Sequence, residues 1–411
     1  MFTPEQKIEH LKNLGFDGDL NQIYNLYSGL PFNADDTNYQ KLVSYSKKLC
    51  DEYTRLFADT RNQDQEIVQN AISRRNQILD ILFPGHGSIY GFGEWSQAVI
   101  GLVDMDGLDI INVRCKFSPT CLVHLQEYSL IAPNVIFGNI NQPLKGIINP
   151  SKIIVKDNTW VCAGVTIGEN TIIGNQSVVG LGAVISENSS FNSSKLIVGN
   201  PAVEKKSITE NYVENKANKK ILRTDDQMRK LIQNIRNLGI EGDLEQYIRA
   251  LNCENHNCLE PVISNLYILT HQLCAEFNDS RTSIIRKGII ANILFPLCGE
   301  NLKLGKDLFV DLLGLTQIGN NVSIGDRVNL AGNIYIGNNV NVGNDVILQT
   351  IGHEIYYKKR QLQMHPDGYP IETNTCGYIV ANDNVNIADG TKVLPGVTIS
   401  KDTEENELLI K

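Results

Sequence analysis

Among the seven histidines of the chain, His353 stands in a context suited to acid–base chemistry. It ends the phrase Thr350-Ile351-Gly352-His353, where a regular six-residue spacing of aliphatic residues stops, and Arg360 follows seven residues later. A neutral imidazole titrates near physiological pH, so it can take the proton of a hydroxyl that attacks a carbonyl carbon. His353 is therefore a candidate for acid–base chemistry. The alternatives are a solvated loop histidine at 353 and His365 as a competing base.

The element that would position His353 is a run of hexapeptides. Neither a helix face nor a flat strand repeats every six residues, whereas a β-solenoid with one short strand and one turn per hexapeptide does. Glycine and asparagine between the aliphatic residues suit positive-φ corners. The aliphatic residues would stack along the core at Ile318, Ile324, Leu330, Ile336, Val342 and Leu348.

The chain contains two similar halves. Residues 13–20 resemble residues 237–244, and residues 81–84 resemble residues 293–296. Each half opens with about eighty residues of helical pattern and then shows six-residue spacing. The first half is irregular at Ile111, Phe117 and Val123 and regular at Val155, Val161, Ile167, Ile173, Val179 and Ile185. The second half breaks at residues 349–378 and resumes at Ala381, Ile387, Val393 and Ile399.

These patterns predict a mainly β protein with two tandem parallel β-helix domains of the hexapeptide-repeat type, each preceded by an α-helical segment. A polar, charged stretch separates the halves, and residues 401–411 read as a charged tail. The predicted division is a helical segment at 1–84, a β-helix at 85–206, a linker at 207–224, a helical segment at 225–296 and a β-helix at 297–411.

Composition narrows the possible partners. The formal net charge is −9 and no long Lys/Arg run occurs, so a nucleic-acid surface is not expected. No apolar run reaches membrane length and residues 1–5 do not begin a signal peptide, so we expect a cytoplasmic protein without membrane contact. Nine scattered cysteines suit reduced thiols. Cys253, His256 and Cys258 lack a second ligand pair, so we predict a surface loop there and no metal site.

A family resemblance follows from the order of these phrases. A Phe-x-Asp-Thr/Ser-Arg phrase stands at 57–61 and at 277–281, an Ile-Leu-Phe ending follows in both halves, and hexapeptide coils come next. This order resembles the maltose/galactoside O-acetyltransferases, which are left-handed β-helix acyltransferases. The resemblance implies triangular prisms that assemble as trimers, acetyl-CoA as acyl donor in the groove between prisms, His353 as general base and a carbohydrate acceptor.

The same resemblance implies acceptor-binding residues. The family places an Asp before the first regular coil, and Asp311 and Asp104 stand seven residues before Ile318 and Ile111. The family's Asn eight residues before the histidine is Asp345 here, whereas Asn134 keeps it in the first half. Arg360 stands at the family's arginine position. The other reading of a single Asp is a solvated turn residue.

The resemblance also implies a CoA-binding end in the first half. It has Val179-Gly180-Leu181-Gly182-Ala183-Val184 and Gly199-Asn200-Pro201-Ala202, whereas the second half ends soon after Ile399. The other reading of these glycines is that they are corner residues only. The implied CoA-binding residues are Gly164, Gly180, Gly182, Ala183, Asn200, Pro201, Lys205 and Lys206.

The halves differ at the base. His353 lies seven residues after Val346, and Gln142, which cannot accept a proton at neutral pH, lies seven residues after Val135. Either the two halves share one groove, with His353 facing CoA held by the first half, or the protein is an inactive scaffold or binding protein derived from a transferase. We favour the shared groove.

Each chain would supply two prisms, and a closed triangle contains three prisms. Three chains, which give two triangles, are therefore the smallest closed assembly, and a monomer that pairs its own halves is the alternative. The expected activity is acyl transfer from CoA to a hydroxyl of a sugar or sugar-like molecule, with an amine acceptor left open.

Overall fold

The computed structural model describes residues 2–60, 64–87, 89–141, 144–210, 223–258, 260–353, 355–362, 372–375, 379–382, 384–393 and 397–409. Gln142 and His365 lie outside these residues. The chain forms two compact units, the first ending within the gap between residues 210 and 223, and the short segment Ile355–Lys358 groups with the first unit.

The first unit opens with helices that have clear start signals. Thr3 forms a capping box with Gln6, and the Asp64 side chain accepts a hydrogen bond from the Glu66 amide, so both caps satisfy otherwise unpaired N–H groups. The helices are α1 (Pro4–Asn13), α2 (Asn21–Tyr27), α3 (Thr37–Asp59) and α4 (Gln65–Leu82).

Short strands make up the rest of the first unit. They are β1 (Phe32–Asn33), β2 (Ile89–Phe92), β3 (Val103–Met105), β4 (Asp109–Ile111), β5 (Lys116–Phe117), β6 (Cys121–Leu125), β7 (Leu130–Ile131), β8 (Ile136–Phe137), β9 (Ile147–Ile148), β10 (Ser151–Val155), β11 (Trp160–Val161), β12 (Thr166–Ile167), β13 (Thr171–Ile173), β14 (Val178–Val179), β15 (Val184–Ile185), β16 (Lys195–Gly199) and β17 (Ala202–Ser207).

These strands build a three-sided parallel β-helix. Consecutive strands fall in three different sheets, ordered β13-β10-β6-β3, β17-β16-β14-β11-β7-β4-β2 and β15-β12-β8-β5. Neighbours within each sheet are parallel except for β16 and β17, which form an antiparallel hairpin. A separate antiparallel pair, β1 and β9, joins the helical segment to a loop of the β-helix.

The second unit begins in the same way. Thr224 forms a capping box with Gln227, and Glu260 caps a helix that starts with Pro261. The helices are α5 (Asp225–Asn237), α6 (Glu245–Leu251), α7 (Pro261–Asn278) and α8 (Ile284–Leu294), and the insertion contains the short helix α9 (Tyr357–Leu362). The strands are β18 (His256–Asn257), β19 (Lys303–Leu304), β20 (Phe309–Val310), β21 (Thr316–Ile318), β22 (Ser323–Ile324), β23 (Asn329–Ala331), β24 (Ile334–Ile336), β25 (Asn341–Val342), β26 (Ile347–Gln349), β27 (Ile351–Gly352), β28 (Glu372–Thr375), β29 (Ile379–Ala381), β30 (Asn386–Ile387), β31 (Lys392–Val393), β32 (Thr398–Ile399) and β33 (Leu408–Leu409).

Three parallel sheets again enclose a core, ordered β19-β22-β25-β30, β20-β23-β26-β31-β33 and β21-β24-β29-β32. The aliphatic residues of the six-residue pattern are buried, from Ile318 through Leu348 to Ile399, as predicted. Asn301, Asn321, Asn339 and Asn384 adopt positive φ at one corner, and the amide nitrogen of each of the first three donates to the amide oxygen of the next, at 2.8, 2.9 and 3.0 Å. These asparagines therefore set the corner and tie successive coils together.

Matching contacts attach the helices in both units. Ser46 Oγ accepts from the Ile100 amide, and Thr270 Oγ1 accepts from the Leu313 amide. Cys50 Sγ donates to the Ala98 carbonyl at 3.6 Å, as Cys274 Sγ does to Val310 at 3.7 Å. These contacts show that Ser46 corresponds to Thr270 and Cys50 to Cys274.

Three details differ from the sequence-based expectations. Part of the predicted charged tail belongs to the β-helix, because Leu408–Leu409 forms a parallel strand beside Lys392–Val393. The ends of the predicted linker are structured, since Ser207 ends β17 and Thr224 caps α5. The predicted surface loop at 253–258 is wrong for Cys253 and His256, which are buried, because β18 pairs with β28 of the insertion.

Candidate functional site

His353 lies where the chain leaves the β-helix of the second unit. Strand β26 ends at Gln349, and β27 then pairs antiparallel with β28, with Gly352 opposite Asn374. Strand β28 also pairs with β18, so that His256 stands opposite Thr373. This small sheet joins the insertion to the helical segment and fixes the backbone directly before the half-buried His353.

Asp311 lies beside a histidine that the sequence analysis did not single out. Its amide donates to the Leu330 carbonyl at 3.1 Å, directly after β20. Its Oδ1 is 3.7 Å from Nε2 of His271 on α7. The His271 ring also contacts Phe309, with ring centroids 5.0 Å apart. The second unit therefore brings a carboxylate and an imidazole together on the outside of β20.

A second histidine, His256 on β18, contacts the same helix through Tyr267. The hydroxyl of Tyr267, one turn before His271, is 3.0 Å from Nε2 of His256. Burial lowers the pKa of His256, which favours the neutral ring. The signal that could have indicated this arrangement is the Tyr267–His271 spacing of four residues on one helix face.

Asp104 is engaged inside the first unit. Lys7 Nζ lies 2.8 Å from Asp104 Oδ1 and donates to the Gly101 carbonyl at 2.8 Å. Gly101 and Gly314 correspond, because each donates its amide to the last residue of the preceding helix, Leu82 or Leu294. Asp104 follows Gly101 by three residues, whereas Asp311 precedes Gly314 by three. The two aspartates therefore do not occupy equivalent positions, contrary to the sequence-based expectation.

Asp345 and Asn134 occupy matching corners of the two units. Both have positive φ, near 60°. Arg327, one coil below Asp345, binds its carboxylate through Nε and Nη2 at 2.7 and 2.8 Å. Asn134 instead has a buried Nδ2 without a hydrogen-bond partner among the described residues. The remaining acceptor candidate, Arg360, lies buried in α9.

The predicted CoA-binding residues lie in the last coils of the first unit. Gly164 and Gly182 are neighbours in one left-handed corner column, where the Gly182 amide donates to the Ala163 carbonyl at 2.9 Å. A Cβ on Gly180 would come within 2.6 Å of Val198 Cγ1, so a larger residue here would have to displace the Val198 side chain. Ala183 is buried in the core, so only its backbone could meet a ligand.

The hairpin that closes the first unit is exposed. Asn200 and Pro201, joined by a cis peptide bond, form its turn between β16 and β17. Lys205 and Lys206 are exposed on β17. Exposed ammonium groups beside glycine corners fit the phosphates of a CoA-like ligand, because such groups can pair with phosphate oxygens.

The sequence is similar to those of known acetyltransferases. Residues 315–349 match the sequence profile described as bacterial transferase hexapeptide (six repeats). A Schizosaccharomyces pombe protein named "Putative acetyltransferase" is 26% identical over 194 residues, covering 43% of this chain and 87% of that protein. The chain is therefore similar to hexapeptide-repeat acetyltransferases. The fold of this family is the left-handed parallel β-helix, so that part of the predicted fold class is confirmed.

Solved structures of the same kind are similar over part of the chain. A maltose O-acetyltransferase from Clostridium difficile is 26% identical, covers 46% of this chain and 98% of its own, and has a TM-score of 0.35. A galactoside acetyltransferase in complex with coenzyme A is 16% identical, covers 47% of this chain and 96% of its own, and has a TM-score of 0.37.

The structure also bears on metal binding, membrane contact and the state of the cysteines. Among the described residues, no three His, Cys, Asp or Glu side chains converge as a metal site would require. No helix in the described part of the chain is both long and apolar enough to cross a membrane. The eight cysteines in the described part of the chain are thiols rather than disulfides.

Proposed function

We propose that this protein transfers an acetyl group from acetyl-CoA to a hydroxyl of a sugar or sugar-like small molecule, with His353 as the general base. The observation that carries this proposal is the position of His353 directly after β27, at the break in the coils and beside a sheet that anchors the insertion. The paired backbone directly before His353 would hold the imidazole in place for proton transfer.

The roles of the chain's own groups follow from this assignment. Acetyl-CoA supplies the acetyl group as a thioester. His353 would take the proton of the acceptor hydroxyl as its oxygen bonds to the carbonyl carbon, and would return that proton to the sulfur that leaves as the C–S bond breaks. Asp311 would orient the acceptor by accepting a hydrogen bond from another hydroxyl.

We assign donor binding to the last coils and closing hairpin of the first unit. Gly164, Gly180 and Gly182 would let the backbone approach the ligand, and Ala183, Asn200 and Pro201 would add surface around it. Lys205 and Lys206 would meet its phosphates. That the two halves share one groove, and that three chains assemble as a trimer, stay predictions. Sedimentation of the intact chain tests the trimer.

Thioester consumption with a panel of sugars, aminosugars and polyols tests the function. We expect CoA release with at least one acceptor and a loss of about 10²–10⁴-fold in His353→Ala, the usual range for a general base. His124→Ala is the matched control, because His124 pairs with Asp106 in the first unit at 2.9 Å. If the folded wild-type protein neither binds CoA nor consumes the thioester, the scaffold alternative replaces the transferase.

A further inference from the structure

Helix α8 of the second unit presents an exposed apolar face, and we propose that this face packs against α8 of a second copy of the chain in an antiparallel pair. Residues that recur after three or four positions lie on one side of a helix. The contact does not depend on the proposed acyl transfer, so its test needs no substrate. The exposed face consists of Ile284, Ile285, Gly288, Ile289 and Asn292.

The isoleucines of this face are unusually exposed. Ile284 is 87% exposed, Ile285 77% and Ile289 47%. Single exposed apolar residues are ordinary in folded proteins, whereas a contiguous apolar patch marks a surface that binds a protein or a membrane. These isoleucines stand on adjacent turns of one helix and form such a patch. The face therefore indicates a binding surface.

The corresponding helix of the first unit shows that the fold does not require apolar residues on this face. Arg74 of α4 binds Glu52 as Arg286 of α8 binds Glu276, so the two arginines occupy equivalent positions. This alignment identifies the residues of α4 that match the exposed face of α8. They are also exposed and are Ile72, Ser73, Asn76, Gln77 and Asp80. The surface is mainly polar in the first unit, so the apolar face is specific to the second.

The order of the residues suits a two-fold pair. A two-fold axis beside residues 286 and 287 would bring two α8 helices together in antiparallel orientation. Ile285 of each copy would then lie beside Ile289 of the other. Ile284 of each copy would lie over Gly288 of the other, where a Cβ would meet nothing within 4 Å in the single chain. The same surface is thus complementary to itself.

Gly288 gives this arrangement a physical reason. Inside a helix, glycine is less favourable than any residue except proline, so an exposed glycine in the middle of α8 weakens the helix. A close contact between two helices compensates for this loss. Packed helix axes are about 8–10 Å apart, and a position without a side chain lets the opposite isoleucine fill the space between them.

The charges near the face favour a second copy over a membrane. The Arg286 guanidinium binds the Glu276 carboxylate at 2.6 and 2.9 Å, and Lys287 Nζ lies 5.5 Å from the ring centroid of Phe277, so both cations point to α7. The five residues of the face are uncharged, so two copies would meet without like-charge repulsion there. A helix that binds an anionic lipid surface instead needs cations available to the headgroups.

The size of the face limits the strength of the contact. A standard protein interface contains roughly 20–30 residues a side, and α8 contributes only the five residues of this face. We therefore expect weak pairing, with a dissociation constant of about 10⁻⁵–10⁻³ M. If the chain is the predicted trimer, the contact would join two trimers.

Sedimentation equilibrium of the intact chain over this concentration range tests the contact. We expect wild type to shift toward twice the mass of its smallest species. The variant Ile285→Ser/Ile289→Gln carries the side chains that the first unit has at these positions, so its thermal unfolding should match that of wild type. We expect its dissociation constant to rise at least about 100-fold, because both copies lose apolar burial. Ile72→Ser is the control on α4 and should leave pairing unchanged.

Gly288→Leu distinguishes the two-fold contact from a non-specific apolar surface. The leucine has open space in the single chain and adds apolar area, but it fills the place of Ile284 of the other copy. We expect pairing to weaken at least about tenfold. Tighter pairing in Gly288→Leu, unchanged pairing in the double variant, or a wild type that stays at the mass of its smallest species would overturn the inference. Binding of wild type to phosphatidylcholine–phosphatidylserine vesicles in place of pairing would assign the face to a membrane and overturn it too.

Discussion

The ammonium group of Lys7 and the carboxylate of Asp104 form a buried ion pair that fastens α1 to β3, with Nζ 2.8 Å from Oδ1. Only 4% of the Lys7 side chain and 18% of the Asp104 side chain are exposed. Removing one member would leave the other charge poorly solvated. We expect Lys7→Met and Asp104→Asn each to lower the unfolding free energy of the first unit by about 3 kcal/mol.

The fluorescence of Trp95 and Trp160 in urea measures this loss, because both tryptophans of the chain lie in the first unit. The control is Lys12→Met, which removes an exposed pair with Glu9 at 3.8 Å and should cost less than about 0.5 kcal/mol. An acceptor KM that rises in Asp104→Asn while stability stays constant would instead support the acceptor role that the family resemblance implies.

The six-residue pattern made most of the β-helix predictable. A residue such as Leu330 faces inward because its spacing from Ile324 and Ile336 fixes both the strand and the side-chain direction. The neighbouring Asn329 could not be recognised in this way. Its position beside Leu330 points outward and is ordinarily solvated, so its burial is a tertiary effect without a local signature.

Two segments were predicted incorrectly because they pair with strands far away in the sequence. Cys253 and His256 read as a surface loop because their surroundings are polar, but β18 pairs with β28 more than one hundred residues later. Leu408–Leu409 reads as part of a charged tail, yet it pairs with Lys392–Val393. Pairing between distant segments depends on register and packing, which propensity and spacing do not encode.

Lys205 and Lys206 offer a test of donor binding. Both ammonium groups are exposed on β17. We expect the double variant Lys205→Gln/Lys206→Gln to raise the KM for acetyl-CoA about tenfold, with the acceptor KM unchanged, because two charge-assisted contacts to phosphate would be lost. The wild-type KM should increase with salt more steeply than that of the variant.

The control for this experiment is Lys303→Gln, which removes an exposed lysine from the second unit. Equal effects of the two changes on the KM for acetyl-CoA would mean that general charge, rather than the hairpin, attracts the donor. A fall in kcat without any change in KM would also contradict the assignment.

The pair of Arg327 and Asp345 should contribute little to stability despite its good geometry. Their side chains are 44% and 54% exposed, so water and salt screen the attraction. We expect Asp345→Asn to lower the unfolding free energy of the second unit by less than about 1 kcal/mol. Calorimetry at low and high salt checks this, and the difference from wild type should shrink as salt increases. A loss that is large and independent of salt would show that the corner needs a carboxylate.

Asp109 should make the stability of the first unit depend on pH. Burial raises the pKa of this carboxyl to about 8, although the amides of Ser129 and Gly107 donate to it at 2.9 and 3.3 Å. In the unfolded chain the pKa is about 3.9. As pH rises from about 4 to 8, the unfolded chain releases this proton while the folded unit retains it, so the contribution to stability falls and is constant above about 8.

Asp109→Asn removes this titration. We therefore expect the stability of the variant minus that of wild type to become more positive between pH 5 and 8, by on the order of a few kcal/mol, and to level off at higher pH. Urea unfolding followed by tryptophan fluorescence at pH 5, 6.5, 8 and 9 gives this difference. Asp17→Asn is the matched control, because Asp17 is an exposed carboxylate of the first unit. A difference that does not vary with pH would show that Asp109 is already ionised in the folded unit.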